Sequence, residues 1–429
     1  MKKLGGRFWL SLTIFSLMGQ IAWVVENMYF NVFIYKMFHA SAGDISNMVA
    51  ASAVTATLTT VFLGALSDKI GKRKLFICGG YLLWGVSIFS FVFLREEWIQ
   101  KTFGLTVSAA ATGVSLAILL DCIMTFFGST ANDAAFNAWL TDSTDASNRG
   151  AAEGINAMMP LVSILVVFGG FMFFDLEKAS SWSVIFTIIG VAVSVIGILG
   201  FFLIKEPTVV KESGSYLGGI VYGFRPKTIR ENPQLYQTLV TFILFNISIQ
   251  IFMPYLIIYY EVSLGMSDYV LVMAPAIVIA AVVTAFWGKV YDRRGFMFSG
   301  SIALCSLVLG YVVLYVSRSK VPVFIGSLLM MCGYLAGMAV FGAKIREHTP
   351  AGKAGRLQGV RIFAQVLLPG VVGPAIGKKV LENAEVIINN DGTGSFVPNQ
   401  NIFLAAAVLI ILLVPLFLWK RKAPAKTMK

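Results

Sequence analysis

Twelve apolar runs dominate this chain of 429 residues, each about as long as a bilayer core is thick and each bounded by charged or turn-forming residues. They lie at 8–35, 46–66, 75–94, 105–140, 155–174 and 182–204, then at 236–260, 269–287, 297–317, 321–343, 357–377 and 401–419. A helix needs about 20 apolar residues to cross hydrocarbon, and only helices and closed barrels satisfy every backbone N–H and C=O there. The runs predict an all-α integral membrane protein with 12 transmembrane helices in two six-helix halves. The fourth run is too long for one simple span, so its first part, 102–113, reads as an outer loop or helix extension. Residues 7–35 are too long for a cleavable signal peptide and lack its small-residue cleavage site.

The chain is 57% hydrophobic and 13% charged, where soluble domains average about 45–50% and about 25%. That leaves no large domain outside the membrane. A net charge of +12 invites a nucleic-acid reading, so the distribution of the charge matters. With both termini in the cytoplasm, 25 of the 34 Lys and Arg fall in cytoplasmic segments and eight in outer loops, leaving Arg361 within a span. This is the positive-inside pattern. It predicts a multi-pass cell-membrane protein, a monomer whose partners are the lipid bilayer and a small-molecule solute, with no nucleic acid. Cys78, Cys122, Cys305 and Cys332 sit in apolar runs as small core residues, with neither a disulfide framework nor metal-ligand spacing. His39 and His348 fall in loops, which removes histidine from any proton relay within the membrane. No metal and no cofactor is expected beyond a coupling ion.

The middle loop, 205–233, is the one sizeable polar connection and carries Gly, Pro and mixed charge. It divides the chain into an N-terminal half (1–204), a linker (205–235) and a C-terminal half with a short basic tail (236–429). An internal repeat supports the division. Gly64, Asp68 and Gly71 in GALSDKIGKRK recur as Gly288, Asp292 and Gly295 in GKVYDRRG, each set after the second span of its half. Gly64 permits close backbone approach and Gly71 a tight turn. Asp68 can accept from exposed N–H groups at a helix N-terminus, where the dipole favours an anion. Such contacts could lock one face in one state and release it in another, although a plain basic turn that anchors topology would look similar. The spacing is not that of a phosphate-binding loop.

These residues resemble the loop motif between spans two and three of the major facilitator superfamily, and the twelve-span plan matches over the whole chain. The resemblance implies alternating access, with Gly64, Gly71, Asp68 and Arg73 in the gate and Gly288, Asp292 and Arg293 as the weaker counterpart. A second segment, NDAAFNAWLTDSTDASNRGAAEG at 132–154, resembles the span-four pattern of the glycoside–pentoside–hexuronide cation symporters, the melibiose permease group. The matching positions are Asp133, Phe136, Asp142, Asp145 and Arg149, with Asp142 and Arg149 implied in gating. One departure stands out. Relatives coupled to sodium carry acidic residues in span two, whereas NMVAASAVTATLTTVFLG offers only the hydroxyls of Ser52, Thr55, Thr57, Thr59 and Thr60. The charge a sodium site of that kind needs is missing, which favours a proton as the coupling ion over Na+.

Ionisable residues within spans are costly and functional by default. Glu26, Asp121, Asp133 and Arg361 are the clear ones, and a purely structural interhelical bond is the plainer alternative for each. In span one, Gln20, Trp23, Asn27 and Asn31 follow i, i+3, i+7, i+11 and share a face suited to hydroxyls and a sugar ring. Glu26 sits about 120° from the face of Gln20. In span four, Asp121, Thr125 and Asn132 share one face, and Ser129, Asp133 and Asn137 the other. Asp133 is the foremost candidate, with Asp121 and Glu26 the other cation-coupling acids. In the second half Asn246 and Gln250 lie one turn apart, as do Arg361 and Gln365, ahead of Pro and Gly residues that can bend the helix. Trp139, Trp182 and Trp287 read as interfacial anchors.

The combined expectation is a secondary active transporter of a small polar solute, a sugar or glycoside, by cation-coupled alternating access. Export of an amphiphilic or drug-like solute is one rival, and a non-transporting membrane sensor another. No G-x-S-x-G, H-E-x-x-H or nucleotide loop is present, so no enzyme is expected.

Overall fold

The structure, a computed structural model, describes residues 4–104, 108–145, 148–207, 221–350, 354–389 and 393–419. Among the described residues, 11 helices are long and apolar enough to cross a membrane. The longest, Tyr269–Val316, is interrupted by Gly295, whose φ of 77° and ψ of 178° are not helical. Two spans result from it, and the expected fold of 12 transmembrane helices holds. Spans 1 to 6 are Gly6–Phe38, Ala42–Ile70, Arg73–Phe93, Ala109–Ser143, Arg149–Phe171 and Ala179–Leu203. Span 7 is Pro233–Ser263, spans 8 and 9 are 269–294 and 296–316, and spans 10 to 12 are Lys320–His348, Gly359–Val380 and Asn401–Leu418. The long fourth run does not divide: Ala109–Ser143 is one continuous helix of 35 residues that already takes in 109–113, and a separate short helix, Glu96–Phe103, precedes it.

Four spans carry a wide π turn: Val25–Tyr29 in span 1, Ser129–Phe136 in span 4, Tyr259–Ser263 in span 7 and Phe363–Leu367 in span 11. Such turns insert a residue into the helical ladder and are frequent at functional sites.

The backbone groups into two compact units, 1–216 with 385–397, and 217–384 with 398–429. In the first unit Phe30, Phe33, Phe91, Trp182 and Phe186 form an edge-to-face aromatic core. Spans 3 and 6 cross where glycine faces glycine, and a Cβ on Gly190 would stand 2.8 Å from the Gly85 carbonyl oxygen. Two short antiparallel strands, β1 (Val386–Ile388) and β2 (Gly394–Phe396), pack on the end of span 1. There the Tyr35 hydroxyl donates to the Phe396 carbonyl at 2.8 Å, and the His39 ring meets Ser395 and Asn389.

Trp139 and Trp182 are not lipid-facing anchors. They are 2% and 1% exposed, and their indole N–H groups donate inward to the carbonyls of Lys205 and Leu176. Each tryptophan pins a loop to the helices it leaves. In the second unit Phe296, Phe341 and Phe417 cluster at one end, while Tyr311 and Ser248 meet at 3.2 Å within the bundle.

Candidate functional site

Three helices converge on Glu26. The π turn of span 1 presents its carboxylate, which is 6% exposed, to span 2 and span 4. The Ser52 hydroxyl donates to Glu26 Oε1 at 2.7 Å and the Thr125 hydroxyl to the same oxygen at 2.8 Å. Ser52 and Thr125 are themselves 2.8 Å apart. Asp121, one turn before Thr125 and 2% exposed, bears on the Ser52 hydroxyl and on Glu26. Glu26 Oε2 and Asp121 Oδ1 have no hydrogen-bond partner among the described residues. A buried polar atom without a partner costs about 1–3 kcal/mol, more when charged, so a cluster with two such oxygens is suited to a ligand that supplies positive charge.

Asp133 lies one helix turn beyond Ser129 in the π stretch of span 4. Its Oδ2 accepts from the Ser129 hydroxyl at 3.0 Å, and its carbonyl accepts from Asn137 at 3.1 Å. Asn132 turns away and donates to the Tyr81 hydroxyl, which donates to the Phe15 carbonyl at 2.6 Å. Glu26, Asp121 and Asp133 have no base paired with them among the described residues.

The stripe read along span 1 survives only in part. Trp23 packs on Trp84 at 5.0 Å between ring centres, and the indole N–H of neither has a partner among the described residues. Gln20 is half-buried. Asn27 is exposed and donates to the Trp23 carbonyl, whereas Asn31 is 1% exposed and donates to the Asn27 carbonyl. The inserted residue of the π turn shifts the last two positions off the face of the first two.

Ser52, Tyr81 and Trp84 were not expected at this site. Tyr81 and Trp84 at i, i+3 in the middle of an apolar run were the available signal, since aromatic anchors belong at its ends.

The repeated loops place their second glycines as the spacing implies: Gly71 has φ 72° and Gly295 φ 77°. In the first loop Arg73 is almost fully buried. It bridges Asp68 at 2.5 Å and Asp142 at 3.0 Å, and donates to the Ser67 hydroxyl at 2.8 Å. Gly64 lies against Ala134 of span 4. Arg149 binds the Thr141 and Thr144 carbonyls and the Thr144 hydroxyl, which caps the end of span 4. In the second loop Asp292, Arg293 and Gly288 are exposed. There Glu347 of span 10 accepts from Tyr291 and from Lys344, each at 2.9 Å.

The polar groups of the second unit are quieter. Asn246 is 7% exposed and donates to its own helix at the Phe242 carbonyl. Gln250 packs against Gly373 of span 11. Arg361 and Gln365 are half-buried, and Gln365 sits in the π turn of span 11.

A family model described as Major Facilitator Superfamily matches residues 8–374. No curated protein sequence matches the chain. Among solved structures, a mutant form of the nucleoside transporter NupG superposes with a TM-score of 0.73 at 12% identity, over 95% of this chain and 98% of that one. A bacterial homolog of the human lysosomal transporter Spinster, inward-facing and unoccupied, gives 0.69 at 15% identity over 97% of each chain.

Proposed function

The chain belongs to the Major Facilitator Superfamily, and from that membership we propose a cation-coupled secondary transporter of a small polar solute, a sugar or glycoside, driven by protons rather than sodium. The observation that carries the reading is the group of three acids in the first unit, Glu26, Asp121 and Asp133, with no base paired to them among the described residues. A carboxylate kept in a membrane span without a counter-charge has a use for a cation. An unpartnered indole N–H on Trp23, one turn before Glu26 on the same span, suits the ring and hydroxyls of a sugar. The likeness of 132–154 to the melibiose permease group supports the same solute class. Arg361, Gln365, Asn246 and Gln250 supply the second half's polar contacts. The repeated loops gate the cytoplasmic side, where both termini lie.

Purified protein in proteoliposomes, offered mono- and disaccharides and nucleosides under an imposed pH gradient, tests this. Uptake of a sugar should follow the gradient. Uptake indifferent to it, with Asp133→Asn transporting normally, defeats proton coupling, and affinity for amphiphiles but not sugars defeats the solute class.

A further inference from the structure

The contacts around Glu26 contain one hydrogen too few. Ser52 Oγ, Thr125 Oγ1 and Glu26 Oε1 form a triangle whose sides are 2.7, 2.8 and 2.8 Å, each of hydrogen-bond length. A hydroxyl has one hydrogen to give, and an ionised carboxylate has none. Two hydrogens cannot serve three sides. Whichever way the hydroxyls turn, one side is a bare contact between lone pairs. A proton on Glu26 Oε1 removes the conflict: the bonds then run around the ring, each oxygen donating once and accepting once.

We propose that Glu26 Oε1, closed into a ring with Ser52 and Thr125, is the proton-binding atom of the first unit, and that the proton latches span 1 to spans 2 and 4. This rests on the transporter reading for its use in a cycle, but the site itself follows from the hydrogen count. The residues come from three helices, 26 and 99 positions apart from Glu26 in sequence. Without the proton, one of the two hydroxyls must let go of its neighbour, which loosens a helix contact. The ionisable groups that act on Glu26 are Asp121, Asp133 and Cys122 of span 4, and span 2 presents hydroxyls. Asp121, whose Oδ1 has no partner among the described residues, is the nearby oxygen to which the proton can pass when the ring opens. Asp133, already bonded to Ser129 on its own helix, lies outside the ring.

Infrared difference spectroscopy of the full-length protein in lipid, scanned over pH, reads the proton directly as a carboxylic-acid C=O band. Wild type should show titrating acid bands, one of which is lost in Glu26→Gln and kept in Asp133→Asn. Ser52→Ala opens the ring and takes one of two donors from an ionised Glu26, leaving Thr125 alone to serve the charge. Its band should therefore move at least about one pH unit towards alkali, a tenfold tighter hold on the proton. Glu26→Gln keeps the shape of the side chain, and Ser52→Ala provides a second variant should the first not fold. An acid-band spectrum left unchanged by Glu26→Gln, or no acid band in wild type, overturns the proposal. So does a Glu26-dependent spectral change brought about by Na+ alone. Uptake driven by pH with the acid band on another residue defeats this site and leaves the transporter reading intact. The band on Glu26 without driven uptake does the reverse.

Discussion

Arg73 and Asp142 tie the start of span 3 to the end of span 4: Arg73 Nε donates to Asp142 Oδ2 at 3.0 Å, with the arginine side chain 5% and the aspartate 26% exposed. The same guanidinium reaches Asp68, which is 54% exposed. Charge-assisted bonds to a buried group are worth about 1.5–3 kcal/mol, and exposed ones about 1 or less. Arg73→Lys loses the planar fork that serves three partners at once and should cost about 2–3 kcal/mol. Asp142→Asn should cost about 1–2 kcal/mol, and Asp68→Asn less than about 1. Thermal unfolding in detergent gives the order, and a larger loss for Asp68→Asn than for Asp142→Asn would contradict it.

The two turn glycines are alike in φ but not in need. Gly71 sits at φ 72° and ψ 22°, a left-handed conformation that Asn tolerates, while Gly295 sits at φ 77° and ψ 178°. The second combination is open essentially to glycine alone. Gly71→Ala should cost about 1 kcal/mol, and Gly295→Ala about 2–3 kcal/mol. Gly71→Asn should recover most of the loss and Gly295→Asn should not, as read from the unfolding temperatures of the four variants.

The number of spans and their rough limits were legible because hydrocarbon demands length and apolarity, and both are local. The turn at Gly295 was legible from its place between two apolar runs, and there the backbone leaves the helical conformation between Tyr269 and Val316. Glu26 and Asp121 stood out as charges inside apolar runs. What joins them did not, because Ser52 is an ordinary hydroxyl in an ordinary run and its meeting with Glu26 is a matter of helix packing. The π turn at Val25–Tyr29 defeated the stripe from Gln20 to Asn31 in another way. Counting at 3.6 residues per turn assumes an unbroken ladder, and one inserted residue turns every later side chain by about 100°. Trp139 and Trp182 lie near span ends, where the sequence pattern for lipid-facing and loop-pinning tryptophans is the same.

Asp268 and Lys320 link the turn after span 7 to the start of span 10, with Lys320 Nζ donating to Asp268 Oδ2 at 2.6 Å. That bond holds the Asp268 carboxyl below its usual range. A folded-state value below the unfolded one means that the contact stabilises above the ordinary carboxylate value, about 3.9, and is lost as pH falls through the folded value. Asp268→Asn should therefore lower stability slightly at neutral pH, with the difference from wild type vanishing in acid. High salt should shrink it, since both side chains are well exposed. Unfolding followed against pH at two salt concentrations checks both.

Thr57 and Thr125 make opposite predictions from the same chemistry. Both are buried in spans, at 5% and 0% exposure. Thr125 donates to Glu26, while the Thr57 hydroxyl has no hydrogen-bond partner among the described residues. Threonine to valine exchanges a hydroxyl for a methyl of nearly the same size, so packing changes little and the polar term decides the sign. At Thr57 the exchange removes an unserved polar atom and should stabilise by about 1 kcal/mol. At Thr125 it takes a donor from a buried carboxylate and should cost about 1.5–3 kcal/mol. Unfolding temperatures in one detergent give both signs. Thr57→Val should also be assayed for uptake, because a variant that is more stable yet transports poorly would place the Thr57 hydroxyl against the solute. A variant that is less stable would mean that water already serves that hydroxyl.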